Sequence, residues 1–386
     1  HVNTPNDLIY CIYTSGTTGQ PKGVMNRNSG LINRIHWMNS LYPIGAEDTI
    51  LQKTTFTFDV SVWEIIWWSI VGARVALLVP GGEKEPEKIC DAIEKYQVTT
   101  MHFVPSMLMM FEEYIAETRG ASEKLRSLKN VFASGEELKI IHVESFYRIA
   151  EEANLRMKLA NFYGPTEASI DVTYYDCTEN DTNKVYIGRP IYNTQIYVCD
   201  GINLCGIGVP GELCIAGDGL ARGYLNRPEL TAEKFVKNPF GEGRMYRSGD
   251  LARWLPDGNI EYLGRIDEQV KIRGFRIELG EIESRIREIE NIKDCAVIAR
   301  ADSSGDKAIY AYYTSDEEVS VSEIRDTLSA SLPEYMVPAY MMQIESIPVT
   351  RNGKLDKRAL PEIEAKAARE YVAPRNEIEE KICAIF

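Results

Sequence analysis

Up to about Tyr163 the chain alternates short apolar runs with segments of helical periodicity, and few architectures accommodate that pattern. DLIYCIYT, ARVALLVP, TTMHFVP, NVFASG and MKLANFYG are apolar, bounded by turn residues, and read as buried strands. SVWEIIWWSIVG, EPEKICDAIEKY, PSMLMMFEEYIAE and ELKIIHVESFYRIAEEA lie between them with apolar residues at helical spacing. This alternation predicts an α/β layered fold on a mostly parallel sheet. From about Ile187 the texture changes, because NTQIYVCD, GELCIAG and NIEYLGR are strands separated by Gly, Pro and Asp turns. After Gly264, QVKIRGFRIE, ELGEIESRIREIE, DCAVIARAD, KAIYAYYTS, VSEIRDTLSASL and MMQIESI read β-α-β-β-α-β, a small α+β domain. The expected organisation is a large subdomain over 1–266, β-rich from about 187, and a small one over 267–362. A polar linker over 363–373 and a helical start over 374–386 follow.

Composition removes several function classes. Net charge is −14 over 386 residues, which leaves no basic surface for nucleic acid. The longest apolar stretch, around Ile65 to Val79, is interrupted by Gly72 and Arg74, so no membrane span is expected. The eight cysteines form no C-x-x-C pair and no Cys/His cluster. Several, such as Cys11 and Cys295, sit in apolar β-type runs, which predicts buried free thiols in a cytoplasmic protein without zinc or disulfides.

Tyr13 to Val24 reads YTSGTTGQPKGV. Gly16 and Gly19 let backbone approach a ligand, Ser15, Thr17 and Thr18 add hydroxyls, and Lys22 brings a mobile positive charge. Composition alone leaves this loop level with an ordinary polar turn. It resembles, however, the phosphate-binding signature of the acyl-adenylate-forming superfamily, and further matches follow in that family's order. NFYGPT ends at Thr166 before Glu167, MYRSGDL contains Asp250, NIEYLGRIDEQVKIRGFRIELGEIE contains Arg265 and Asp267, and PVTRNGKLDKRALP contains Lys354. Each could be a turn or a surface charge on its own; all of them in order could not.

The resemblance implies a set of roles. ATP or AMP would be held by Thr14, Ser15, Gly16, Thr17, Thr18, Gly19, Lys22, Gly135, Glu136, Tyr163, Gly164, Asp250 and Arg265. Within that set Tyr163 would stack on adenine and Asp250 would take the ribose hydroxyls. Thr166 would contact phosphate, Glu167 would hold Mg²⁺, Lys354 would reach the reaction centre, and Asp267 would be the hinge. The family's large subdomain normally extends further before the phosphate loop, so that subdomain is expected to be incomplete here. YVAPRNEIEEKICAIF resembles the opening of a carrier protein domain.

GRIDEQVKIRGFRIELGEIE and NGKLDKRALP are closer to the adenylation domains of nonribosomal peptide synthetases than to CoA ligases. FDVSVWE fits as well, because Asp59 offers a counter-charge to an α-ammonium; otherwise it would be a helix N-terminal acid. The pocket positions of that family fall on Asp59, Val60, Trp63, His102, Phe132, Ser134, Phe162, Ile170, Asp171 and Lys354. This string resembles the serine-activating pattern. Trp63, Phe132 and Phe162 would make the pocket shallow, while His102 and Asp171 could bond a short hydroxyl. The expectation is an enzyme that converts L-serine and ATP to seryl-AMP, then passes the acyl group to the phosphopantetheine thiol of a carrier domain in cis. A condensation domain and an MbtH-like protein are further expected partners. Threonine is the competing substrate, another acyl ligase of the superfamily the nearest alternative, and a non-catalytic nucleotide-binding or interaction module the alternative from another class.

Overall fold

The computed structural model describes residues 3–15, 21–266, 269–272, 274–301, 307–317, 319–348 and 355–363. Expectations for Gly16, Thr17, Thr18, Gly19, Asp267, Lys354 and the segment 374–386 fall outside these. The chain divides into two compact units, residues 1–281 and 282–386.

A seven-stranded sheet organises the first unit, in the spatial order Arg74–Leu77, Thr49–Gln52, Thr100–Phe103, Asn130–Ala133, Lys158–Tyr163, Thr173–Asp176, Arg189–Pro190. The first five strands pair in parallel and the last two antiparallel. Alternation along each strand builds a core on both faces. Leu51, Met101, Phe103, Val131, Ala133 and Leu159 pack with helices Pro86–Tyr96, Pro105–Glu117 and Ile140–Glu152. Ile50, Phe132, Ala160 and Phe162 face the other way, toward helices Asn28–Leu41 and Val60–Val71. The helix boundaries follow local chemistry. Pro86 and Pro105 open two helices, and Gly72, with φ 77°, ends a third in the left-handed conformation.

Three sequence expectations need correction. Leu8–Thr14 does not join the parallel sheet; it pairs antiparallel with Lys22–Arg27, which in turn pairs with Gly223–Tyr224. Only seven residues separate Thr14 from Lys22 in the sequence, too few for the crossover that a parallel pair needs. Cys11 lies on this strand and is exposed rather than buried, whereas Cys90, Cys177, Cys199, Cys214 and Cys295 are buried. QVKIRGFRIE is not one strand but a hairpin of Val270–Ile272 with Phe275–Ile277, turned at Gly274 with φ 79°. Helix Asn28–Leu41 and strand Thr49–Gln52 were not anticipated.

The β-rich portion is a six-stranded antiparallel sheet built on Thr194–Asp200, Gly211–Gly217 and Arg244–Trp254. Leu213, Ile215, Tyr224, Phe235 and Tyr246 form its core. In the second unit, Ile292–Ala301 pairs antiparallel with Lys307–Ser315, which pairs in parallel with Tyr340–Gln343. Tyr310 and Tyr312 pack there with Ile298 and Leu360. Helix Val321–Ser331 opens on Ser320, whose side chain accepts from the Ser322 amide. No helix among the described residues is long and apolar enough to cross a membrane.

One buried carboxyl weakens the first core. Glu112 is 3% exposed among Phe103, Phe111, Ile115 and Phe146. Its Oε1 has no hydrogen-bond partner, and His142 Nδ1 lies 3.9 Å from Oε2. Burial pushes the carboxyl up to about 9 and holds His142 below its usual value. The folded state therefore keeps a proton that the unfolded chain releases near pH ~4.3. Stability falls as pH rises across that window, up to about 9. Thermal unfolding of Glu112→Gln should consequently match wild type near pH 5 and exceed it increasingly toward pH 9. Each kcal/mol recovered is worth roughly 2–4 °C; parallel curves at all pH values would contradict this account.

Candidate active site

The site forms at the carboxyl ends of the parallel strands, where open α/β sheets present their ligand crevice. Period-two alternation sends Phe103 into one core layer and His102 to the opposite face, where it sits beside Phe132 in register. His102 Nε2 is 2.9 Å from Ser134 Oγ. Burial, then Lys53 and Arg34, hold the imidazole well below its usual pKa, so it is neutral. Phe132 and Phe162 stack at 4.7 Å between centroids, and Trp63 meets Phe132 edge-on at 5.8 Å. Val60 and Ile170 are 1% exposed beside them.

Two carboxylates share this space. Asp59, which precedes helix Val60–Val71, is 3% exposed, makes no capping bond, and leaves Oδ2 without a hydrogen-bond partner. Burial pushes it up to about 7, with repulsion from Asp171 adding to the shift and a Thr166 hydrogen bond opposing it. Asp171 is 2% exposed and accepts from Arg34 Nη2 at 2.7 Å. Its pKa is also raised, by burial, against the opposing pull of Arg34.

A second group holds the residues expected to meet nucleotide. Thr14 and Lys22 face each other across the first hairpin. Lys22 Nζ is 3.6 Å from Glu167 Oε1, and the Tyr224 hydroxyl donates to the same oxygen at 2.8 Å. Glu167 is fully buried. A single buried hard-oxygen carboxylate suits a Mg²⁺ that arrives on a polyphosphate, since that ion needs few protein ligands. The Tyr163 hydroxyl donates to Asp250 Oδ2, and Arg265 Nη1 donates to Asp250 Oδ1 at 2.9 Å. Burial, then the Asp250 charge, raises Tyr163 well above its usual pKa. Glu136 accepts from the amides of Ser106 at 3.2 Å and Gly274 at 2.9 Å, and Gly135 before it has φ 93°.

Four side chains join these residues that sequence reasoning missed. Arg34 lies in a helix that was not read, and Lys53 was not singled out. Tyr224 ends a two-residue strand. Lys271, read only as a strand residue, has its ammonium 5.7 Å from the Tyr163 ring centroid and lowers Asp59. The motif resemblance reached QVKIRGFRIE, so a search of that motif for cations would have found Lys271.

Comparison with known proteins agrees with this geometry. The AMP-binding enzyme family matches residues 1–225, and the AMP-binding enzyme C-terminal domain matches residues 281–354. The chain belongs to this family. It is of the adenylation-domain type found in nonribosomal peptide synthetases, within a family of ATP-dependent, AMP-forming ligases. It is 54% identical to a mycosubtilin synthase of Bacillus subtilis over 100% of this chain, but spans only 15% of that relative. It is 50% identical to zwittermicin A synthase ZmaJ of Bacillus cereus, over 93% of this chain and 68% of that protein. Among solved structures, the Vibrio cholerae adenylation domain AlmE in complex with glycyl-adenosine-5'-phosphate superposes with TM-score 0.80 at 28% identity. That match covers 92% of this chain and 66% of the other.

Gly164 is the point where backbone crowding fixes the site. A Cβ there would lie 2.4 Å from Ile170 O and 2.5 Å from Asp171 Cα. Ser169 and Ile170 already have φ 60° and 81°, so the turn has no relaxed conformation to retreat to. Gly164→Ala should lower the thermal midpoint and the amino-acid-dependent exchange rate together. A variant that melts and turns over like wild type would show that the turn yields freely.

Proposed function

We propose that this domain activates L-serine. The observation that carries the reading is Asp59, a buried carboxylate with an unpartnered oxygen, which suits the α-ammonium of an amino acid. A fatty-acid activator has no use for that charge. The neutral His102–Ser134 pair and Asp171 supply polar atoms for a short hydroxyl, and the Phe132, Phe162 and Trp63 rings limit its length. A site built to bond a hydroxyl strongly rejects an analogue lacking it, whereas one extra methyl is resisted only by roughly 10–200-fold. Alanine should therefore be poor and threonine the nearest competitor.

In the proposed reaction the serine carboxylate attacks the α-phosphorus of ATP. A carboxyl oxygen–phosphorus bond forms, the bond to the β-phosphate bridge breaks, and pyrophosphate leaves. Positioning and charge neutralisation carry most of such a step. Asp59 anchors the amine, Lys22 and Thr166 meet phosphate, Asp250 and Arg265 meet ribose, and Tyr163 meets adenine. Lys354, by its resemblance to the family motif, neutralises the reacting carboxylate and phosphate. Mg²⁺ held by Glu167 would supply charge neutralisation to the phosphates. By the same resemblance Asp267 is the hinge, and rotation there would admit a phosphopantetheine thiol from a carrier domain in cis. The thiol sulfur then bonds to the acyl carbon and gives up its proton, the acyl carbon–phosphate oxygen bond breaks, and AMP departs. The start of a carrier domain is assigned to 374–386, with a condensation domain as further neighbour and an MbtH-like protein as accessory.

ATP–pyrophosphate exchange across the proteinogenic amino acids tests the reading. Serine should lead, threonine should follow, and Asp59→Ala should abolish exchange. Leadership by an amino acid with an apolar side chain would overturn the serine assignment. The pH profile gives an independent check. Ammonium binding requires ionised Asp59, and burial holds that carboxyl at about 7. Below that pH the serine concentration for half-maximal exchange should rise, approaching tenfold per pH unit, because ligand must displace a proton. A flat profile down to pH 5.5 would remove Asp59 from the amine contact.

A further inference from the structure

Arg34 stands outside the residues assigned to the pocket, yet it touches two of its walls. It lies in helix Asn28–Leu41 with 0% exposure. Its Nη2 donates to Asp171 Oδ2 at 2.7 Å, while Nε and Nη1 have no hydrogen-bond partner. The guanidinium carbon instead lies 4.7 Å from the Trp37 ring centroid and 5.0 Å from the Phe162 centroid. Two aromatic faces thus take the place of oxygen acceptors for the rest of the cation. Phe162 in turn stacks on Phe132. One guanidinium therefore joins the acidic wall of the pocket to its aromatic wall.

Its charge reaches further than its contacts. Arg34 favours the ionised form of Asp171, which burial opposes, and it helps to keep His102 neutral. An ionised Asp171 can only accept a hydrogen bond. Lysine would keep the charge but lose the planar stack and the fork.

We propose that Arg34 is a specificity-determining positioning residue. It fixes Asp171 as an acceptor, so that the pocket selects a side chain that donates a hydrogen bond over an apolar one of similar size. The proposal rests on the pocket reading given above, and it gives Arg34 no contact with substrate.

The test compares amino-acid-dependent pyrophosphate exchange for wild type, Arg34→Lys, Arg34→Met, Asp171→Asn and the double variant Arg34→Met/Asp171→Asn. Serine, threonine and alanine are the probes, and each variant is melted to confirm that it folds. Arg34→Lys should reduce the serine-to-alanine ratio of kcat/KM by roughly tenfold or more, mainly through the KM for serine. Arg34→Met leaves a buried carboxylate uncompensated and can fail to fold. The double variant removes both charges together; it should fold, and its ratio should equal that of Asp171→Asn alone. A purely structural Arg34 would lower activity with all three amino acids equally. An unchanged ratio in Arg34→Lys, or a double variant whose loss exceeds that of Asp171→Asn tenfold, overturns the proposal. Failure of the underlying pocket reading shows in wild type itself, as exchange led by an amino acid with no side-chain donor.

Discussion

Two carboxylates buried in one apolar pocket, Asp59 and Asp171, form the constraint on which the rest of this site depends. Buried negative charges so close to each other cannot both stay ionised without compensation. The protein treats them unequally. Asp171 receives a fixed partner, Arg34, held in place by two aromatic rings. Asp59 receives only a Thr166 hydroxyl and the more distant charge of Lys271, and burial leaves it at about 7. On the proposed reading that imbalance gives the pocket its chemistry, since an incoming ammonium would complete what the fold leaves incomplete.

Backbone geometry makes the arrangement possible. The parallel strands place His102, Phe132 and Phe162 on one face of the sheet by alternation alone. Asp171 has no such help, because it follows two consecutive residues with left-handed backbone, Ser169 and Ile170. A β-branched residue there is costly, so surrounding contacts must enforce the turn. Ser169 Oγ donates to Gly219 O at 2.7 Å, and Gly164 lets the turn approach closely. The Arg34 ion pair adds a third restraint, which ties local strain to the same interaction that balances charge.

How much of this was legible depends on the range of the interaction. Strands such as Thr100–Phe103 and helices such as Pro86–Tyr96 announce themselves through local periodicity and proline punctuation. The motif resemblance supplied Asp59, Tyr163, Glu167, Asp250 and Arg265; Tyr163 and Arg265 both bond Asp250, and the charge of Glu167 reaches Asp59. Helix Asn28–Leu41 escaped because Asn33, Arg34 and Asn39 break its apolar stripe. Arg34 is buried only through a partner 137 residues away, and no window on the sequence contains both. The hairpin at Val270–Ile272 was hidden for a related reason. Its alternation is that of a strand, and only Gly274 marks the reversal. Cys11 looked buried because its neighbours are apolar, but its strand pairs on one side only and shows much of its surface.

The nucleotide side handles charge on a different principle. Around Asp171 the ion pair is short and enclosed by rings, whereas Lys22 stands 3.6 Å from Glu167, beyond ordinary hydrogen-bond length. On the proposed reading a polyphosphate, which carries more negative charge than one carboxylate, would compete for Lys22, and a Mg²⁺ arriving with it would meet the Glu167 carboxylate. On that same reading, charge on this side is exchanged with a ligand that arrives and departs as different species, while the Arg34–Asp171 pair stays fixed. A fixed pair favours discrimination and an exchangeable one favours turnover. The two halves of the cleft divide those requirements between them.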